Sequence, residues 1–495
     1  MSRIRGMRGH LASSIAVTCA AALALPLALS SDAGATPSPT ESRTVGGSTT
    51  AESIPGSTQS LPLTPLTIGT SRTPPSPSSS SSSGDRALPP ASAPAQGLAR
   101  RDVRHFSLVG VVWDDPDSEL HGRVQVRTRA TGTTKWSAWQ DVDTHNHEHA
   151  ADPDTAERAS DRVRGSTAPL WVGDSDGVEV RVQGEADGRT GADGRAVTAE
   201  PLPKGLHVEL VDPGAEPPPQ GPEQNASLLG ALTAESAAAA SAVNAELAPI
   251  GATEIPALSE KETRADLLAT RGEETDAADT TNAAGTTAEQ RAKPYIGARP
   301  RIVTRRGWGA DEGLRERNFS YTKTVKAVFV HHSASGNNYR CAQAPSVIRS
   351  IYRYHVKSSG WRDIGYNFLV DKCGNIYEGR AGGVAKPVMG AHTLGFNSKS
   401  MGIAVLGSFG AANPPAASVK AVAKLTAWKL GLYGANPRGK TYLKSGGGNL
   451  YRKGKNVRLN VISGHRDGFA TECPGGRLYA KLGKARATSA RYQGR

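Results

Sequence analysis

The chain has 495 residues, of which 37% are hydrophobic and 5% aromatic, with 55 Gly and 32 Pro. That length allows about two to four domains, and that composition excludes a packed core running through all of it. The net charge of +13 conceals a division: from residue 295 onward 34 Lys+Arg stand against 8 Asp+Glu, while the residues before it are acidic overall.

The first 35 residues read as a secretory signal peptide. Arg3, Arg5 and Arg8 precede an apolar run from Leu11 to Leu29, and Ala33-Gly34-Ala35 offers a cleavage site. The run is also long enough for an uncleaved anchor; Pro26 and the small residues favour cleavage, after which no stable membrane span is expected. Residues 36–100 are Ser/Pro/Thr-rich, with a serine run at Ser78–Ser83, and are expected to be a disordered linker. Residues 101–214 contain short alternating runs separated by Gly/Asp-rich turns, the pattern of an all-β, sandwich-like domain. Its four tryptophans, Trp113, Trp136, Trp139 and Trp171, suit a β-core more than a sugar-binding face. His145-x-His147-x-His149 has the residue type for a metal site, but its polar surroundings read as a solvated loop. Residues 215–294 are acidic and Ala/Thr-rich, a second linker with transient helix around Leu228–Leu247.

Residues 295–495 mix periodicities. Strands are predicted at Val325–Val330, Tyr366–Asp371, Ile403–Leu406 and Asn460–Ser463, and helices at Ser346–Val356 and Val419–Tyr433. The fold class is α/β with a mixed sheet. The basic excess here suits an anionic partner; for an exported chain that means cell-wall polymers or a membrane surface sooner than nucleic acid.

Signal removal leaves Cys341, Cys373 and Cys473, an odd number that suggests one disulfide and one cysteine with a chemical task. His465 and Cys473 lie eight apart across a loop, and both residue types bind zinc. His331-His332 ends a strand, so only one of the two faces a given site. Three protein ligands with a fourth position open is the layout of a catalytic zinc.

The C-terminal part resembles the peptidoglycan recognition proteins and the type 2 muramoyl-alanine amidases. The matching blocks are Arg306-Gly307-Trp308-Gly309-Ala310, Val328–Ala334, Asp363–Phe368, Tyr377-Glu378-Gly379-Arg380, Gly390-Ala391-His392-Thr393, Asn397, Gly402-Ile403-Ala404, and Gly464-His465 with Thr471–Gly475. The resemblance implies a mixed sheet with flanking helices around a groove holding one zinc ion. It maps the metal ligands onto His331, His465 and Cys473, the catalytic tyrosine onto Tyr366, and a second catalytic position onto Thr471. His392, Arg380 and Asn397 match groove positions that meet the muramyl peptide in relatives, whereas Trp308 reads as packing. Ala381-Gly382-Gly383 replaces the pair that relatives use to choose between diaminopimelate and lysine. Cys341 and Cys373 remain as candidate disulfide partners in an oxidising compartment.

The expected function is zinc-dependent hydrolysis of the bond between N-acetylmuramic acid and L-alanine by a secreted, wall-associated monomer, with peptidoglycan and anionic wall polymers as partners. Ligands that retain Cys473 favour an enzyme over a protein that binds peptidoglycan without cutting it; a third reading makes the zinc structural and the chain a wall-anchored scaffold.

Overall fold

The computed structural model describes residues 56–66, 95–185, 201–215, 239–240, 242–277 and 295–495. The expected signal peptide, the serine run and much of Leu228–Leu247 lie outside the described residues.

The front domain is built on one hydrogen-bonded sheet in the order β1-β8-β3-β7-β4-β5. Its strands are β1 (Ser57–Pro62), β2 (Thr64–Pro65), β3 (Ala95–Trp113), β4 (Gly122–Ala130), β5 (Gln140–Val142), β6 (Gly165–Ser166), β7 (Leu170–Gly184) and β8 (His207–Asp212). Phe106, Val109, Val111, Trp113, Val124, Val126, Val178, Val180, Val182, Val208 and Leu210 form its core, so Trp113 packs as expected. Trp136 and Trp139 differ: Arg100, Arg127 and Arg181 stack over their rings. The linker expected at 36–100 is corrected in its described parts. Ser57–Pro62 pairs antiparallel with β8, and Ala95–Leu98 pairs with β7. Neither segment carries enough apolar surface to declare itself, but a sheet edge supplies its backbone with partners.

The C-terminal domain has a seven-stranded sheet in the order β17-β11-β14-β12-β13-β10-β9. These strands are β9 (Glu254–Ile255), β10 (Ile302–Val303), β11 (Ala327–His332), β12 (Phe368–Val370), β13 (Ile376–Glu378), β14 (Ser400–Val405) and β17 (Ile462–Gly464); β15 (Lys440–Lys444) and β16 (Asn456–Asn460) form a separate hairpin. β11 runs parallel to both β14 and β17, while β12 and β13 are antiparallel. Every residue of β11 is buried, as befits a central parallel strand covered on both faces. The helices are α1 (Glu260–Ala277), α2 (Ala344–Arg353), α3 (Ala416–Leu432), α4 (Gly476–Tyr479) and α5 (Leu482–Tyr492). α3 seals the core through Ala421, Val422, Leu425 and Trp428.

The second expected linker is also corrected. Ile255 is fully buried, and its strand extends the C-terminal sheet by pairing with β10. Asn244 donates to Glu378 Oε1 and accepts from the Val384 amide, each at 2.9 Å. Helix α1 starts at a capping box that the sequence does carry: Glu262 Oε2 accepts from the Ser259 amide at 2.8 Å, and Ser259 Oγ accepts from the Glu262 amide at 3.3 Å.

The two domains share a hydrophobic cluster. Leu108, Val112, Trp171 and Val211 pack with Trp308, Val347, Ile351 and Tyr354. Approach is so close that a Cβ on Gly110 would overlap the Tyr354 hydroxyl. One on Gly360, whose φ is +75°, would overlap the Arg162 carbonyl. The Trp308 indole donates to the Glu378 carbonyl at 2.7 Å, which confirms packing for this residue.

Beneath the groove, Arg305 is 2% exposed and pairs with Glu312 at 2.6 Å and Asp363 at 3.1 Å. Replacing it takes the Arg305 cation from Asp363 and leaves Glu312 with Arg315, so Arg305→Leu is expected to lose about 3–5 kcal/mol in urea unfolding. His355 is buried, and its Nδ1 accepts from the Gly365 amide at 3.3 Å. Burial, with Arg380 adding, lowers its pKa to about 3. The unfolded chain takes up this proton near pH 6.5 and the folded chain resists it. Stability from this residue is therefore complete above pH 6.5 and declines as pH falls towards 3, by at most about 1.4 kcal/mol per unit. Urea midpoints measured from pH 7 to pH 5 should fall less steeply in His355→Gln.

Candidate metal centre and groove

β11 and β17 are parallel neighbours, with Val330 paired to Gly464. Their carboxyl ends therefore deliver His331 and His465 side by side, at the end of an α/β sheet where ligands commonly bind. Alternation sends His332 the other way, where its Nδ1 accepts from the Phe409 amide at 3.4 Å. The loop after His465 returns Cys473 to the same point. A fourth residue, His149 from the front domain, completes the cluster, and the four donor atoms lie within 4.8 Å of one another.

The donor set suits zinc. Cys473 Sγ is 3.7 Å from His331 Nδ1 and 3.6 Å from His149 Nε2. Ligands at zinc–nitrogen and zinc–sulfur bond lengths on a tetrahedron stand about 3.5 Å apart. Both ring nitrogens of His465 are buried without a hydrogen-bond partner, a costly arrangement that a metal ion would relieve at one of them. Burial pushes all three imidazoles well below their usual range, leaving them neutral and able to ligate, and pushes the Cys473 thiol well up. A cation at the centre would reverse the second effect and hold a thiolate.

Tyr366 stands beside the cluster, its ring centroid 5.5 Å from that of His331 and 5.9 Å from that of His149. Burial first, then Cys473 and Glu148, raise its pKa well above the usual phenol value, so it keeps its proton. His392 is completely buried. Its Nδ1 lies 3.3 Å from His331 Nε2 and 2.9 Å from Thr393 Oγ1. It thus backs His331 instead of lining an open groove, a position that would orient a metal ligand.

The other expected groove residues all meet the front domain. The Thr471 hydroxyl donates to Glu148 Oε1 at 2.6 Å and accepts from the Cys473 amide at 3.1 Å. Arg380 grips Glu157 bidentately, at 2.7 and 2.9 Å. Asn397 Nδ2 donates to the Ala150 carbonyl at 2.8 Å and to Asp152 Oδ1 at 2.7 Å. The solvated-loop reading of the histidine triplet is corrected at His149, which is 4% exposed; His147 meets Glu119 at 2.9 Å instead. The alternating histidines were the available signal, but their destination lies across a domain boundary. Cys341 and Cys373 form a disulfide, with Cα atoms 6.1 Å apart, which leaves Cys473 as the free cysteine among the described residues.

Residues 321–476 match the N-acetylmuramoyl-L-alanine amidase family, and residues 50–205 match the Rv3811 N-terminal galactose-binding domain-like family. Peptidoglycan-recognition protein SC2 of Drosophila simulans is 31% identical over 183 residues, 37% of this chain and 84% of that protein. The human N-acetylmuramoyl-L-alanine amidase is 38% identical over 128 residues, 25% of this chain and 21% of that protein. The solved structure of Drosophila PGRP-LB is 28% identical and covers 37% of this chain and 91% of its own, with a TM-score of 0.29. The chain belongs to the family of peptidoglycan recognition proteins and type 2 N-acetylmuramoyl-L-alanine amidases.

Proposed function

We propose that this protein is an exported zinc amidase that hydrolyses the bond between the lactyl group of N-acetylmuramic acid and L-alanine. The observation that carries this reading is the placement of Cys473 Sγ 3.7 Å from His331 Nδ1 beside His465 and Tyr366. The similarity to the human amidase supports it. The Cys341–Cys373 disulfide suits an oxidising compartment, in keeping with the N-terminal signal. No helix among the described residues is long and apolar enough to cross a membrane.

His331, His465 and Cys473 would hold the metal, with His392 and Thr393 fixing the His331 ring. Zinc bound there supplies a Lewis acid and an acidified water, with a pKa near about 7. Tyr366 retains its proton and donates a hydrogen bond to the amide oxygen as charge develops on it. The Thr471 hydroxyl, once released from Glu148, offers a second donor. Arg380 offers a planar fork that matches a stem-peptide carboxylate.

The alternative is recognition without cleavage, in keeping with the name of the Drosophila simulans relative. Mass spectrometry of purified peptidoglycan after prolonged digestion separates the two. The full chain with zinc should release stem peptides beginning with free L-alanine, and a chelator or Cys473→Ala should abolish release. Binding of muropeptides with no release at any zinc concentration, by the full chain and equally by Glu157→Ala, which frees Arg380, would establish the recognition reading instead. Tyr366→Phe should lower kcat by about 10²–10³ with zinc content and KM little changed; a comparable rise in KM with kcat unchanged would mean that Tyr366 only binds substrate.

A further inference from the structure

The segment 143–164, between β5 and β6, contains no helix or strand. A structureless stretch of that length inside a compact unit is uncommon and usually functional. Here it takes up the groove residue by residue. His149 joins the metal cluster, Glu148 holds Thr471, Ala150 and Asp152 hold Asn397, and Glu157 holds Arg380. Its backbone is fixed as well: the Glu148 carbonyl accepts from the Leu394 amide at 2.9 Å, and the Arg164 amide donates to the Ser359 carbonyl at 3.1 Å.

Two features of this contact point to a ligand mimic. The first is coordination. A catalytic zinc keeps one position for water or substrate, whereas four protein ligands close the site. His149 Nε2, 3.6 Å from Cys473 Sγ, stands where that open position would be. The second is charge. Arg380 is buried, and the Glu157 carboxylate satisfies it in the bidentate manner suited to a peptide carboxylate.

We propose that His149 is a fourth protein ligand of the metal, and that residues 148–157 occupy the groove as an intramolecular stand-in for substrate. The chain as folded is then latent, and becomes active when this segment withdraws. The inference rests on the amidase reading of the same site. Withdrawal need not undo the domain interface. Among the described residues, none of 143–164 belongs to the hydrophobic clusters that join or fill the domains. The segment is held by polar contacts, and such regions open locally at less cost than a core.

Zinc-edge X-ray absorption on the zinc-loaded full chain tests the ligand, because imidazole scattering counts the histidines. Three imidazoles and one sulfur are expected, falling to two imidazoles in His149→Ala. Two imidazoles in the native chain would overturn the proposal, and that count decides even where a variant fails to fold. Titration with a soluble muramyl tripeptide tests the occlusion. The double variant His149→Ala, Glu157→Ala should bind about tenfold or more tightly than the native chain, since a closed population reduces apparent affinity in proportion. Equal binding would reduce His149 to a structural ligand and remove latency. Both readouts are independent of hydrolysis, so a protein that never cuts peptidoglycan would fail the digestion test while passing these.

Discussion

Four metal-binding groups desolvated at one point are the constraint on which this structure turns. His149, His331, His465 and Cys473 are all buried, with donor atoms within 4.8 Å. Imidazole nitrogens without partners in a dry interior cost free energy. A metal ion bound there would take one nitrogen from each imidazole, and in doing so would link a central strand, a loop near His465 and a loop of the front domain. Metal affinity and the local fold are then one free energy.

The surroundings are arranged to keep that point rigid. β11 is flanked by parallel partners on both sides, so the positions of His331 and His465 follow from backbone pairing and not from side-chain freedom. His392 and Thr393 sit behind His331. One layer further out, Asp363 receives Arg305 at 3.1 Å and the Ala381 amide at 2.8 Å, which ties the segment carrying Arg305 to the loop that follows Arg380. A buried network of this kind positions groups precisely and tolerates the loss of no single partner.

The front domain is part of this arrangement in two distinct ways. Through Leu108, Val112, Trp171 and Val211 it shares apolar surface with the C-terminal domain, a permanent kind of contact. Through residues 143–164 it reaches the groove with carboxylates and an imidazole, a contact made of groups that a competing ligand could replace. The first fixes where the second arrives. A domain that looks separable by composition is therefore built into the site of its neighbour.

By itself the sequence determined the family and the main strands and helices of the C-terminal part. Val325–Val330 declares a buried strand and Val419–Tyr433 a helix, because these patterns are local, although α3 is buried over most of its length and does not show the amphipathic face expected of it; the metal set of His331, His465 and Cys473 was implied by the matching motifs. The cysteine count called for one disulfide, and the pairing of Cys341 with Cys373 followed once the resemblance had set Cys473 aside. Only the tertiary structure decided the rest. Ser57–Pro62 and Glu254–Ile255 are too short and polar to announce themselves, and become strands because a sheet edge offers their backbone a partner. Arg380 and Asn397 carry the right groups for substrate, but which carboxylate they hold is set by a segment more than two hundred residues away. His149 is the clearest case. A histidine in an acidic loop is ordinarily solvated, and it becomes a buried neighbour of His331, His465 and Cys473 only because an interface of apolar side chains, invisible in local pattern, carries that loop into the groove.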